Sequence, residues 1–176
     1  MDPMSLRHAV LGLLAVEPAT GYDLAQRFTK SISNAWHAGH SQIYPELARL
    51  QAAGMVEVVG EGARRSRTFA ITDGGHEELR RWMTETEASR TQRSETGVRW
   101  FLLAVLDPED RRIALDQEIA FMTSEAQRLQ AIADAIDETP DPHPFRATVD
   151  LGLRVNAVMT DWLREQRAAT EPDRPR

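Results

Sequence analysis

Residues 39–72 read GHSQIYPELARLQAAGMVEVVGEGARRSRTFAIT, and this stretch decides the fold. Within it, Ile43, Leu47 and Leu50 follow one another at spacings of four and three residues. That spacing places them on one face of a helix, so it predicts a short amphipathic helix. Gly54 is suited to end this helix, because helices commonly close on a glycine in the left-handed conformation.

Pro45 narrows the start of the same helix. Proline is tolerated in the first helical turn and is costly further in, which places the start near Ser41 or Gln42. After the helix, residues 55–59 and 68–71 are β-like runs, and the turn between them carries three arginines. A helix followed by an arginine-tipped hairpin is typical of a winged helix-turn-helix, so this stretch predicts contact with DNA.

The residues before this stretch predict two more helices. Ser5 is placed to cap the first helix, which ends before Pro18, and Thr20 is placed to cap the second. Thr72 is placed to cap a fourth helix after the hairpin, with Leu79, Trp82 and Met83 on its inward face. This order of elements predicts a winged helix-turn-helix domain over residues 1–85.

The second half of the chain predicts helices only. Residues 96–106 are apolar nearly all round, which favours burial between other elements. The helix after them repeats apolar residues over about three heptads, a pattern typical of a coiled-coil seam, and the last helix carries a second apolar stripe. The predicted dimerisation residues on these two helices are Leu115, Ile119, Met122, Leu129, Ile136, Leu151, Val155, Val158 and Trp162.

The predicted fold class is therefore mostly α with a small β-hairpin wing. It combines a winged helix-turn-helix at residues 1–85 with a helical dimerisation domain at residues 86–170 and a frayed tail at residues 171–176. We expect a homodimer.

Composition excludes several classes of function. The chain has 176 residues and no cysteine, which rules out disulfides, thiol catalysis and cysteine-based zinc sites. No apolar run is long enough to span a bilayer and no signal peptide is evident, so we expect a cytoplasmic protein without a membrane partner. No phosphate-binding loop, nucleophile elbow or paired carboxylate motif is present, so we predict no enzyme, no cofactor and no metal.

Net charge argues against DNA binding at first sight. The formal charge is −6, but residues 1–85 hold nine basic and ten acidic side chains, whereas residues 86–176 hold twelve and seventeen. The acid thus lies mostly in the second half. Local clustering matters more for phosphate binding than the total, and the turn of the hairpin places three arginines within four residues.

The start of the predicted recognition helix supplies the candidate base contacts. Glutamine can pair bidentately with adenine and serine with several bases, which points to Gln42 and Ser41. Tyr44 is counted with them among the residues that supply specificity and is also placed to contact sugar or phosphate, and Arg49 is placed to contact phosphate. The remaining predicted phosphate contacts are Lys30, Arg64, Arg65 and Arg67.

From Ser5 to about Glu85, and on to the apolar helix near Trp100, the chain resembles the PadR family of transcriptional regulators. The resemblance is carried by LGLLAVEPATGYDLAQRF, SQIYPELARLQAAGMVEV, RTFAITDGGHEELRRWM and VRWFLLAVL. It implies the subfamily with an extended C-terminal helical domain. It also implies a homodimeric repressor that leaves DNA when an effector binds, with Tyr22 joining Ser41, Gln42, Tyr44 and the wing arginines as DNA contacts.

Two half-sites of a pseudo-palindromic operator would then lie about 34 Å apart, one DNA turn. The aromatic residues of the second half admit two interpretations, and the simpler one is that they pack in the core. The alternative is that they line a pocket for a small aromatic effector, between the domains or across the dimer. Its predicted lining is Trp100, Phe101, Phe121, Met122 and Trp162.

The histidines and the class of function each admit two interpretations. His37 and His40 have the spacing of a metal pair, but phosphate or capping contacts fit their loop better. His8 is expected to be an ordinary surface or helix-end residue.

The alternative to a DNA-binding regulator is a winged-helix protein-interaction module without DNA binding, which the excess of acidic residues favours.

Overall fold

The computed structural model of the protein describes residues 3–28, 40–62, 66–88, 94–140 and 142–170, with the backbone alone for residues 3–5, 40 and 41. The chain forms two compact units, Met1–Ser89 and Arg90–Arg176. Lys30, Trp36, His37, Arg64 and Arg65 lie outside the described residues.

The first unit is a winged helix-turn-helix. Its strands form one antiparallel sheet in the order β1-β3-β2. This confirms the predicted hairpin wing. The structure also contains strand β1, which was not predicted because two residues are too few to show a strand pattern. The elements are α1 (Pro3–Val16), β1 (Ala19–Thr20), α2 (Gly21–Arg27), α3 (His40–Ala52), β2 (Val56–Glu61), β3 (Arg67–Ile71) and α4 (Asp73–Glu85).

The end of α3 confirms the predicted glycine cap. Gly54 has a φ of 70°, in the left-handed region. Its N–H donates to the carbonyl of Gln51 at 3.0 Å, and the N–H of Met55 donates to the carbonyl of Leu50 at 2.9 Å. These two bonds form a Schellman motif, which closes the helix and turns the chain into β2.

The start of α3 differs slightly from the prediction. The helix begins at His40, so Pro45 lies in the second turn and not in the first. Ile43, Leu47 and Leu50 are fully buried, and their burial offsets the hydrogen bond that proline removes from the helix.

The core of the first unit uses the predicted apolar stripes. Helices α1, α2 and α3 enclose it, and the sheet adds one residue from each strand. Its buried apolar residues are Leu6, Val10, Leu11, Leu13, Leu14, Ala19, Leu24, Ala25, Phe28, Ile43, Leu47, Leu50, Val56 and Phe69.

Two predictions on α1 are wrong. Ser5 lies inside the helix, which begins at Pro3, so it does not cap it. His8 is not a surface residue, because only 3% of it is exposed. Its ring stacks on Trp82 at 4.3 Å, and Nε2 lies 3.2 Å from Oε1 of Glu78, to which it donates a hydrogen bond. His8 therefore joins α1 to α4.

Helix α4 begins as predicted at Thr72. The Thr72 hydroxyl accepts a hydrogen bond from the N–H of Gly75 at 3.2 Å and donates one to the carbonyl of Gly54 at 2.7 Å. The helix passes very close to the start of the sheet, since a Cβ on Gly75 would lie 2.2 Å from the Met55 carbonyl oxygen. Met83, predicted to point inward, is exposed.

The second unit is helical, as predicted. Asp107 caps the longest helix, accepting a hydrogen bond from the N–H of Asp110 at 2.9 Å. Among the described residues, no helix combines the length and apolarity needed to cross a membrane. The elements are α5 (Glu95–Leu102), a 3₁₀ turn (Leu103–Val105), α6 (Pro108–Asp137) and α7 (Arg146–Ala169).

The prediction that residues 96–106 are buried is wrong for the single chain. Phe101 is 82% exposed, and Val98 and Val105 are exposed as well. The segment is apolar on every side although much of its apolar surface is exposed in the single chain. Trp100 and Leu103 are the inward members, and they pack against the core of α6 and α7.

Candidate nucleic-acid interface

Helix α2 is fixed at its start by Thr20 and Asp23. The Thr20 hydroxyl accepts from the N–H of Asp23 at 3.1 Å, and the Asp23 carboxylate accepts from the Thr20 hydroxyl at 2.7 Å and its N–H at 3.2 Å. These hydrogen bonds, the one from the hydroxyl first, hold the pKa of Asp23 below its usual range. This capping box defines where the next residue, Gly21, meets α3.

Gly21 lets the aromatic ring of Tyr44 lie directly against α2. A Cβ at this position would come within 2.6 Å of Cε1 of Tyr44. Tyr44 nevertheless remains 52% exposed, and Tyr22 beside it is 56% exposed. The Tyr22 hydroxyl accepts a hydrogen bond from Nε2 of Gln26 at 2.8 Å. Two phenols thus stand at the surface where α2 and α3 meet.

An open groove of about 440 Å³ separates α3 from the wing. Its polar walls come from three elements: Tyr22 of α2, Tyr44 and Gln51 of α3, and Arg67 at the start of β3, with Ser66 just before it. Phenol and guanidinium donors are suited to phosphate oxygens. The groove brings together three of the predicted DNA contacts: Tyr22, Tyr44 and Arg67.

The wing arginine in the described part of the chain has an acidic neighbour. Arg67 and Glu61 are partners in the β2–β3 register, and both are exposed. The N–H of Gly62 donates to the carbonyl of Ser66 at 2.7 Å and closes the hairpin beyond them. The hairpin turn therefore presents Arg67 at its base.

Gln42 and Arg49 lie on the other side of α3. Seven residues separate them, which puts them in one row along the helix. Nη1 of Arg49 lies 2.8 Å from Oε2 of Glu46, and Nε of Arg7 lies 3.5 Å from Oε1 of the same carboxylate. Ser41 lies in the first turn of α3, and only its backbone is described.

Sequence reasoning missed Gln51, Ser66 and Glu46. Gln51 follows Tyr44 by seven residues and so shares its row, a spacing that sequence inspection can detect. Glu46 carried no such signal, because a glutamate in an amphipathic helix is normally an exposed residue.

In the second unit, the predicted heptad seam has a partner within the chain. Leu115, Met122 and Leu129 of α6 are buried, and Leu163 of α7 packs into the same core as Leu115 and Met122. Ile119 packs partly buried against that core, and Ile136 is half-buried. The seam first serves to hold α6 and α7 together, and a contact of these residues with a second copy stays a prediction.

The predicted stripe on α7 is exposed. Its members, Leu151, Val155, Val158 and Trp162, repeat at spacings of four, three and four, and Val158 is 70% exposed. We call them the α7 stripe. The inward side of α7 instead carries polar Asn156, whose Nδ2 donates to the Met122 carbonyl at 3.1 Å.

Two of the predicted effector residues lie together. The rings of Trp100 and Trp162 are 5.6 Å apart with an angle of 38° between their planes. Nε1 of Trp100 donates a hydrogen bond to Oε2 of Glu118 at 3.2 Å. Of the other predicted lining residues, Met122 belongs to the core beneath Trp100, whereas Phe101 and Phe121 are largely exposed.

The chain is similar to known proteins in sequence and in fold. The sequence profile of the transcriptional regulator PadR-like family matches residues 10–81. The chain is also similar to the negative transcriptional regulator PadR of Bacillus subtilis, at 25% identity over 144 residues, which make up 80% of this chain and 79% of that protein.

Solved structures share the fold. The crystal structure of Bacillus subtilis PadR in complex with operator DNA matches with a TM-score of 0.81 and 22% identity, over 95% of this chain and 99% of that chain. The structure of the same protein in complex with p-coumaric acid matches with a TM-score of 0.80 and 24% identity, over 98% and 99% of the two chains.

Proposed function

We propose that this chain, whose residues 10–81 match the profile of the PadR-like family of transcriptional regulators, is a homodimeric repressor of that family. It binds double-stranded DNA and leaves the DNA when a small aromatic effector binds. The Bacillus subtilis relative is a negative transcriptional regulator, and two of its crystal structures contain operator DNA and p-coumaric acid, respectively. We further propose that it is not an enzyme and that it acts in the cytoplasm.

The groove between α3 and the wing carries the DNA-binding part of the proposal. Tyr22, Tyr44 and Arg67 surround it with exposed donors, and such donors fix a protein on the phosphate backbone. The first turn of α3 is proposed to enter the major groove, with Gln42 and Ser41 at base edges. Further phosphate contacts are proposed for Lys30, Arg49, Arg64 and Arg65.

The α7 stripe supports the dimer. Its four large side chains form a continuous apolar row on the surface of the single chain, and exposed apolar patches of this kind commonly mark interfaces between proteins. A two-fold dimer presents two recognition helices, so the proposed operator has two half-sites about 34 Å apart.

The pair of tryptophans supports the effector. A planar aromatic molecule stacks well on Trp100 or Trp162, whose rings already lie near each other. Binding there would favour one dimer geometry over another and change the spacing of the recognition helices, a shift between two populations.

Selection of bound duplexes from a random DNA pool tests this function with the full chain. The enriched sequence is then titrated with wild type and with Tyr22→Ala/Tyr44→Ala/Arg67→Ala. We expect a two-part motif whose binding weakens about a thousandfold between about 50 and 200 mM salt, since a dimer that neutralises several phosphates releases their counterions. The triple variant is expected to lose most of that affinity.

Arg80→Ala is the matched control, because Arg80 is an exposed arginine of α4 that pairs with Glu77 and Glu85 away from the groove. It is expected to bind like wild type. No enriched motif, or binding that ignores salt, would instead favour the protein-interaction module that the net charge of −6 suggests.

A further inference from the structure

Glu46 is a buried carboxylate on the helix proposed to read DNA. Its side chain is 3% exposed, whereas the arginine that pairs with it on the same helix, Arg49, is 64% exposed. A buried charge is costly unless it is paired, and here each carboxylate oxygen faces one guanidinium. Oε2 meets Arg49 at 2.8 Å and Oε1 meets Arg7 of α1 at 3.5 Å.

The position of Glu46 on α3 relates it to the proposed DNA contacts. It follows Gln42 by four residues and precedes Arg49 by three, so the three side chains form one row. The opposite row holds Tyr44 and Gln51, which line the groove. Glu46 therefore lies on the side of α3 that faces away from the groove, between Gln42 and Arg49.

The pairing restrains Arg49 without blocking it. A guanidinium has five N–H donors, and the bond from Nη1 of Arg49 to Glu46 uses one of them. The others remain on a side chain that is mostly exposed. Arg49 is thus tied to Glu46 at one nitrogen while most of its side chain stays accessible to a ligand, which favours a preorganised phosphate contact.

The pairing also sets the local charge. Arg7 and Arg49 bring two positive charges and Glu46 one negative charge, a formal total of +1 for the cluster. Replacing Glu46 by glutamine would leave +2. A larger unanchored charge strengthens attraction to any DNA, because attraction to phosphate is independent of sequence.

We propose that Glu46 is a positioning residue that anchors Arg49 for one operator phosphate and limits attraction to other DNA, so that it raises discrimination between the two. This rests on the proposed function. Glu46 itself contacts no DNA in this arrangement: it positions Arg49 and lowers the positive charge that Arg7 and Arg49 present.

The test compares affinity for the selected operator with affinity for random-sequence duplex, in wild type, Glu46→Gln, Arg49→Ala and the double variant. Glu46→Gln is expected to lower the operator-to-random ratio about tenfold while random-sequence binding strengthens. Arg49→Ala is expected to flatten the salt slope by about 0.9 for each half-site. In the Arg49→Ala background, Glu46→Gln is expected to lower the ratio clearly less, because the charge on Arg7 is still unmasked but Arg49 is no longer there to be positioned.

Arg49→Lys serves as a second variant that leaves the interior intact. It keeps the charge and loses the planar fork, so we expect the ratio to fall while the salt slope stays. Glu77→Gln is the matched control, because Glu77 is an exposed glutamate that pairs with an arginine three residues on, as Glu46 does. It is expected to leave the ratio unchanged.

A purely structural role would lower the thermal midpoint of Glu46→Gln and leave the ratio of the folded protein within twofold of wild type, which would overturn the proposal. An equal fall of the ratio in the Arg49→Ala background would also overturn it. Failure of the proposed function is distinguishable, since wild type itself would then select no operator.

Discussion

The two units of the chain treat their apolar residues differently. In the first unit, the apolar faces of α1, α2 and α3 are covered by one another and by the sheet. In the second unit, α6 and α7 bury a short seam between them, while the α7 stripe stays in solvent. The first unit therefore completes its core within one chain, whereas the second leaves an apolar surface suited to another copy.

The largest expected effect comes from charging the α7 stripe. Val158→Arg is expected to abolish the dimer, because a two-fold interface would bury two unpaired charges at about 3 kcal/mol each. The dimer dissociation constant then rises about four orders of magnitude. Sedimentation velocity measures the change.

Ala157→Arg is the control for this substitution. Ala157 is the preceding residue on α7, exposed and about a third of a turn away from the stripe. It is expected to remain dimeric. A dimer that persists in Val158→Arg would remove the contrast between the two units.

A second comparison makes the same change in each unit. In the monomeric Val158→Arg background, Leu47→Ala in the buried face of α3 is expected to lower the free energy of unfolding by about 2–5 kcal/mol, because it leaves a cavity. Leu151→Ala in the exposed stripe is expected to change it by less than about 0.5 kcal/mol. Equal losses in thermal or denaturant unfolding would show that the stripe is covered within the single chain.

Local patterns made much of the first unit predictable. The spacing of Ile43, Leu47 and Leu50, the glycine at 54 and the threonine at 72 each act over a few residues, so the sequence displays them directly. The exposed positions of Tyr44 and Arg67 at the groove followed from their place on a recognised helix and hairpin. These features required no knowledge of distant partners.

Features that depend on distant partners were not predictable. The stack of His8 on Trp82 joins residues far apart in the chain, and nothing in the local pattern of α1 indicates it. Helix α7 has apolar residues on two sides, and periodicity alone does not say which side faces α6. The structure answers that question by placing polar Asn156 and apolar Leu163 on the inward side, which leaves the α7 stripe exposed.

Substitutions at two glycines test how tightly the first unit is packed. Gly75→Ala is expected to cost about 1–3 kcal/mol of unfolding free energy, because its Cβ would meet backbone atoms of Met55 that have no room to move. Gly12→Ala, in the middle of α1 with no atom within 4 Å of its Cβ, is expected to gain about 0.5–1 kcal/mol. Similar costs at both sites would contradict this packing.

The smallest effect concerns pH. Because hydrogen bonds from Thr20 hold the pKa of folded Asp23 below its usual range, the unfolded state takes up the proton first as pH falls. The contribution of Asp23 is therefore complete at neutral pH and is lost as pH falls below the ordinary aspartate range. Thermal midpoints of wild type and Asp23→Asn should differ at pH 7 and converge towards about pH 2. A difference that stays constant would contradict the capping box as its source.

The most direct measurement tests the proposed roles of both units in one experiment. Wild type and Val158→Arg are titrated with a duplex that carries both operator half-sites and with one that carries a single half-site. We predict that wild type binds the double site far more tightly than the single site, whereas the monomeric variant binds both duplexes with the same weak affinity per half-site. Tight, two-site binding by the monomeric variant would contradict the account that one unit contacts DNA and the other pairs the copies.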